Sequence, residues 1–211
     1  MSEKNSNASA SFISHLSELR SRLLRSSVFF LIAFILSYIF AENIYSYLVK
    51  PYSDAIIEND LDRRLIFTAL HEAFLTYLKV AFFSAIFITS PIFLTEIWKF
   101  VAPGLYKNEK KTLLPYLIAT PLLFFFGGIL VYYFIMPLAI KFFLSFETTA
   151  NPEMIAMQLE AKVNEYLSLI MRLIFAFGIS FQLPVVLSLL ARIGVVNSEY
   201  LKKRRKYVVV I

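Results

Sequence analysis

Residues 112–140 read TLLPYLIATPLLFFFGGILVYYFIMPLAI, an unbroken run without one charged side chain. A helix needs about 20 apolar residues to cross roughly 30 Å of hydrocarbon, so this stretch spans a bilayer with length to spare. Three more uncharged runs accompany it, at residues 26–41, 80–95 and 173–191. The shorter two reach span length with flanks whose long side chains can snorkel to water. The composition follows from these runs: 58% hydrophobic and 17% charged, with a mean hydropathy of +0.66, where soluble domains carry roughly 25% charged residues. The sequence therefore predicts an all-α, polytopic helical membrane protein with four complete transmembrane helices. All 211 residues form one membrane domain. An amphipathic arm occupies 1–24, the four helices and their loops occupy 25–206, and residues 207–211 begin a fifth helix.

Charge sets the expected orientation. One set of alternate compartments holds fourteen basic residues: Lys4, Arg20, Arg22, Arg25, Lys99, Lys107, Lys110, Lys111, Arg192, Lys202, Lys203, Arg204, Arg205 and Lys206. The other holds five, Lys50, Arg63, Arg64, Lys141 and Lys162, among ten acids. Basic loops stay on the cytoplasmic side, which places the N-terminus there. The net charge of +6 is then mainly a topology signal. Nucleic-acid binding competes for a basic chain, but these basic residues flank membrane spans throughout.

Several chemistries find no support. There is no Cys, so no disulfide or thiolate metal site exists. His15 and His71 fall on opposite sides of the membrane and cannot share a metal. No Gly-rich loop ending in Lys-Ser or Lys-Thr is present, which argues against nucleotide hydrolysis. No cofactor and no enzymatic activity are expected. Residues 1–14 are polar and lack a secretory signal core, so the first span serves as an uncleaved anchor. Eight prolines, several of them inside spans, predict kinked or broken helices.

The polar residues among the cytoplasmic segments carry the functional question. A helix over 12–24 aligns Phe12, Leu16, Leu19 and Leu23 on one stripe, forming an amphipathic segment at the interface that turns into span one. Glu18 falls on the opposite face near Arg22, and Arg20 projects from the apolar arc. In one reading Glu18 and Arg22 form an i,i+4 pair worth about 0.3 to 0.5 kcal/mol while Arg20 snorkels. In the other, Glu18 joins Glu109, an acid within the basic 98–111 connection, as a site for a guanidinium ligand whose fork meets carboxylates two atoms at a time. Within the spans, Lys79 and Arg172 lie near the outer ends and snorkel. Gln182 sits mid-span, where an unpaired amide costs several kcal/mol. It serves either as an interhelical hydrogen bond or as a polar point on a substrate path.

The ordered motifs resemble one family. His15 to Leu23 (HLSELRSRL), Ser90-Pro91, Trp98 to Glu109, Phe177 to Pro184 (FGISFQLP) and Lys202 to Tyr207 are similar to TatC, the receptor of the twin-arginine translocase. The resemblance implies a membrane receptor that binds twin-arginine signal peptides of folded precursors. It implies TatA and TatB as partners, the proton-motive force as energy source, a homo-oligomeric receptor complex and residence in the cell inner membrane. Carried over, Glu18 and Glu109 contact the arginine pair, Phe100 and Leu105 line the same patch, and Arg20 shapes its N-terminal part. Pro51 and Pro91 match family prolines near the first outer loop and in span two.

Three departures accompany the resemblance. The family commonly has a carboxylate where Gln182 stands. Its usual Gln before the interfacial Trp is nearer to Glu96, which adds an acid to the patch. The family has six spans, so the chain is expected to be a truncated form, the product of an interrupted gene or one part of a split protein, able to insert but not to translocate alone. The rival readings are a fragment of a small-solute secondary transporter, for which no internal inverted repeat is visible, and a purely structural membrane subunit.

Overall fold

The computed structural model describes residues 2–58, 63–101, 110–148 and 157–192, and within these leaves undescribed the side chains of 2–16, 18, 99–101, 110–113 and 192. The expected start of a fifth helix at 207–211 lies outside the described residues. Among the described residues there are seven α-helices and a π-helical turn: α1 (Ser2–Ile39), α2 (Ala41–Glu58), α3 (Glu72–Val101), α4 (Lys110–Leu130), the π-turn (Val131–Ile135), α5 (Met136–Leu144), α6 (Val163–Ser180) and α7 (Leu183–Arg192). Among the described residues four stretches are long and apolar enough to cross a membrane: Leu19–Ile39, Glu72–Trp98, Leu114–Leu144 and Val163–Ala191. They correspond to the four uncharged runs, so this is an all-α, multi-pass membrane protein.

The helix α1 is inside out by the standard of a soluble protein. Leu24, Val28, Leu31, Ile35 and Leu36 are exposed, whereas Ser26 and Ser37 are buried. Lipid tails are as apolar as these side chains, so burying them gains little; small residues at the seam let helices approach instead. Phe30, between the two serines, meets Phe82 of α3 edge-on with ring centroids 5.5 Å apart. The helix runs without a break through residues 12–26, so the arm continues straight into span one where a turn was expected. No Pro or Gly in that segment interrupts it.

The segment after span one, expected to be loop, is largely the helix α2. At Phe40 the hydrogen bonding passes on, with Phe40 N–H donating to the Leu36 carbonyl and Ile44 N–H to that of Phe40. Ala41, Leu48, Tyr52, Ala55 and Ile56 are buried along one face of α2, against α3 and α5. Two isolated bridges tie the remaining connections at this end, Ile66 with Lys162 and Thr148 with Met157. The core continues from here into the span interior through Val80, Val131, Met136, Leu167 and Ile170.

Two of the spans are interrupted by chemistry the sequence makes visible. Pro137 lacks an N–H and would collide with the carbonyl four residues earlier, and the helix widens just before it: Met136 N–H reaches the Val131 carbonyl, one residue further back than in an α-helix. The break between α6 and α7 falls at Phe181-Gln182, where Gln182 N–H tightens onto the Ile179 carbonyl at 2.9 Å before Pro184. Close packing of α4 on α6 needs glycine. A Cβ on Gly127 would lie 2.9 Å from the backbone of Phe177 and Gly178.

Candidate functional site

The residues singled out by sequence divide between the two ends of the bundle. At the end that carries the arm, Arg20 is exposed on α1. Glu18 is one helical turn from Arg22, and Phe100 one turn from Glu96, but both side chains lie outside those described. Leu105 and Glu109 lie outside the described residues altogether.

Arg22 and Glu96 join this end. The Arg22 guanidinium donates from Nη1 to Glu96 Oε2 at 2.6 Å, with the side chains 21% and 14% exposed. That places the pair largely out of solvent, where a charge-assisted hydrogen bond is worth more than on an open surface. One reading of the sequence pairs Arg22 with Glu18 in its own helix; the structure adds a partner 74 positions away. The pair clamps the HLSELRSRL segment of α1 to the last turns of α3, so two motifs remote in sequence share one end of the bundle. Trp98, half-buried, sits half a turn beyond Glu96.

Gln182 lies in the α6–α7 break and is 9% exposed. Its Nε2 donates to the Thr120 carbonyl of α4 at 3.0 Å and, more weakly, to Gly178 at 3.5 Å. Its Oε1 is buried without a partner. Thr120 in turn donates to the Tyr116 carbonyl at 2.7 Å. Gln182 thus ties α4 to the broken helix.

The two prolines are each met by a side chain that repairs what they remove. Pro91 leaves the Phe87 carbonyl without its helical donor, and Ser90 Oγ donates to that carbonyl at 2.7 Å. Pro51 leaves the Tyr47 carbonyl likewise, and Tyr132 Oη donates to it at 2.8 Å from the π-turn. The Tyr132 and Tyr47 rings stack with centroids 4.6 Å apart and planes at 1°. One residue on, Tyr166 of α6 donates to the Leu48 carbonyl at 3.0 Å. Sequence reading missed these tyrosines. Two phenols toward the α2-side ends of apolar spans, each needing a hydrogen-bond partner when buried, were the available signal.

At the same end, Glu147 accepts from the Leu159 backbone N–H at 2.7 Å and from Arg63 Nη2 at 3.3 Å. The amide bond first, and the guanidinium after it, hold the Glu147 carboxyl below the ordinary glutamate range. Glu72 caps the start of α3 by accepting from Thr68 N–H at 2.7 Å and Ala69 N–H at 3.2 Å. Among the described residues no cluster of three or more His, Cys, Asp or Glu could hold a metal ion.

Comparison with known proteins settles what the two motif-bearing helices belong to. Residues 14–211 match the family described as Sec-independent protein translocase protein (TatC). The chain belongs to the TatC family. The TatC of Magnetococcus marinus is 45% identical over 202 residues, covering 96% of this chain and 71% of that protein. That of Rickettsia prowazekii is 45% identical over 201 residues, 95% of this chain and 78% of its own. The Escherichia coli K12 protein is 34% identical over 198 residues, 94% and 73% respectively. Two crystal structures of the twin arginine translocase receptor TatC superpose with TM-scores of 0.77 and 0.78 at 34% and 33% identity, each covering 93% of this chain. The family is a component of a protein translocase, and this membership replaces the small-solute transporter and structural-subunit readings.

Proposed function

We propose that this protein is the signal-peptide receptor of a twin-arginine translocation system, with its binding patch at the end of the bundle where α1 and α3 are clamped by Arg22 and Glu96. The supporting observation is that clamp, because it holds the Glu18-bearing segment beside the helix that leads into the 102–109 connection. Glu18 and Glu109 supply carboxylates for the paired arginines of the signal peptide, Phe100 and Leu105 supply apolar contact, and Arg20 shapes the N-terminal margin. A guanidinium fork bonds a carboxylate through two parallel N–H groups, which a lysine ammonium cannot do. Gln182 contributes a hydrogen-bonding group within the membrane. The patch faces the cytoplasm of a cell inner membrane. TatA and TatB join copies of this chain in the receptor complex, and the proton-motive force drives transport of folded precursors.

Site-specific photocrosslinking of a twin-arginine signal peptide to membranes containing the protein tests the assignment. Glu109→Ala and Glu18→Ala are expected to weaken the crosslink, and a Lys-Lys signal peptide to bind worse than Arg-Arg. Undiminished crosslinking in both variants would remove the two glutamates from the site.

A further inference from the structure

A groove of about 710 Å³ opens between α3 and α6, with Phe34 of α1 at its edge. Its walls are apolar, formed by Phe82, Ile86, Met171 and Phe175 among others, except for Ser168 and two exposed cations, Lys79 and Arg172. Lys79 Nζ donates to Asn164 Oδ1 at 2.5 Å. Asn164 is neutral and orients the ammonium, while its backbone N–H bonds the Glu72 carboxylate, which lies outside the groove. No carboxylate lines the groove among the described residues.

The depth of the two cations matters. Lys79 is seven residues into α3 and Arg172 nine residues into α6, or about 10 and 14 Å from the α2 end of the bundle at 1.5 Å per residue. Spans of 27 and 29 residues exceed about 30 Å of hydrocarbon, so both side chains root just inside its boundary and reach headgroup level. Both charges line one groove, where they repel each other unless an anion joins them. The groove below them offers bare aromatic and aliphatic wall of acyl-chain character.

We propose that this groove binds one acidic phospholipid from the leaflet on the α2 side, with its phosphate between Lys79 and Arg172 and a chain along Phe82, Met171 and Phe175. Charge complementarity selects that occupant. A lipid with a cationic headgroup would bring a third positive charge to the pair, and an apolar helix would bring no counter-charge. The lipid bridges α3 and α6 and is independent of the signal-peptide patch at the other end.

Native mass spectrometry of the full 211-residue chain, purified in mild detergent, reads the site directly. The probes are phosphatidylglycerol and phosphatidylcholine with identical acyl chains. Phosphatidylglycerol is expected to be retained about tenfold more strongly. Lys79→Gln and Arg172→Gln each lower its affinity about fivefold and the double variant about twenty-five-fold, the weight of one basic charge each near an acidic surface. The exchange Lys79→Arg with Arg172→Lys keeps the preference. Equal retention of the two lipids by the unaltered chain overturns the proposal, whether or not the variants fold. So does an unchanged preference in the double variant, or a groove found occupied by a protein helix with no lipid retained.

Discussion

Tyr132 donates its phenolic hydrogen to the backbone carbonyl of Tyr47 at 2.8 Å, and that carbonyl is the one Pro51 deprives of its helical N–H. The proline and the tyrosine lie 81 positions apart and form one structural unit. A buried carbonyl stripped of its donor costs about 1 to 3 kcal/mol. Tyr132→Phe is therefore expected to destabilise the protein by that amount. Pro51→Ala restores an N–H at position 51, so in that background Tyr132→Phe should cost about 1 kcal/mol less. Thermal unfolding of the four proteins in detergent gives the coupling; strictly additive losses would separate the two residues.

The α4–α6 contact predicts an order of sensitivity. Alanine at 127 meets backbone atoms at 2.9 Å, which cannot yield unless the helices part. Alanine at 178 meets the Phe124 ring at 2.8 Å, and a ring can move. Gly127→Ala should destabilise by about 1 to 3 kcal/mol, as overpacking does, and Gly178→Ala by less. Melting temperatures of the two variants check the ranking, which equal shifts would refute.

Glu147 makes the cap at the α2 end sensitive to acid. Its folded carboxyl ionises below the ordinary value of 4.5, because the Leu159 amide and Arg63 favour the charged form. A depressed carboxylate contributes stability that is complete above its unfolded pKa and fades as pH falls through the folded one. Protection of the Leu159 amide against hydrogen exchange should therefore be constant from neutrality to about pH 5 and decline below about pH 4.5 relative to neighbouring amides. Glu147→Gln should abolish that dependence. A decline that persists in the variant would place the titrating group elsewhere.

The Arg22–Glu96 clamp can be tested by reversal. Glu96→Ala leaves a largely buried guanidinium without this carboxylate and is expected to cost about 1.5 to 3 kcal/mol. Arg22→Glu combined with Glu96→Arg should recover part of the loss, whereas either change alone should not. Recovery of both stability and signal-peptide crosslinking in the reversed pair would show that the clamp positions the patch and does not itself touch the ligand.

The four spans were legible because a bilayer demands long uncharged runs, and runs are a property of one segment at a time. The helix α2 was hidden for the opposite reason. Lys50, Pro51, Asp54 and Glu58 give it the composition of a loop, although Ala41, Ile44, Leu48, Tyr52 and Ala55 recur at helical spacing. The pairings that fix the packing, Arg22 with Glu96 and Tyr132 with Tyr47, depend on how helices rotate against each other. No local pattern specifies that register. Glu18 and Glu109 stood out as acids within basic segments and suggested a guanidinium site, and the family resemblance supplied the ligand that this reading lacked.

The π-turn gives the third span two phases. Up to its first residue, Phe124, Gly127, Gly128 and Val131 face inward; after it, Met136 and Ile140 do, while Leu138 and Phe142 face out. Continued as a plain α-helix, the sequence would turn Met136 about 100° from its seat. The extra residue acts like an inserted letter that resets the reading frame of the helix. Deleting a single residue there would let the span run as a plain α-helix with Met136 and Ile140 still in their seats, whereas straightening the turn at full length would rotate every side chain beyond it by about 100°.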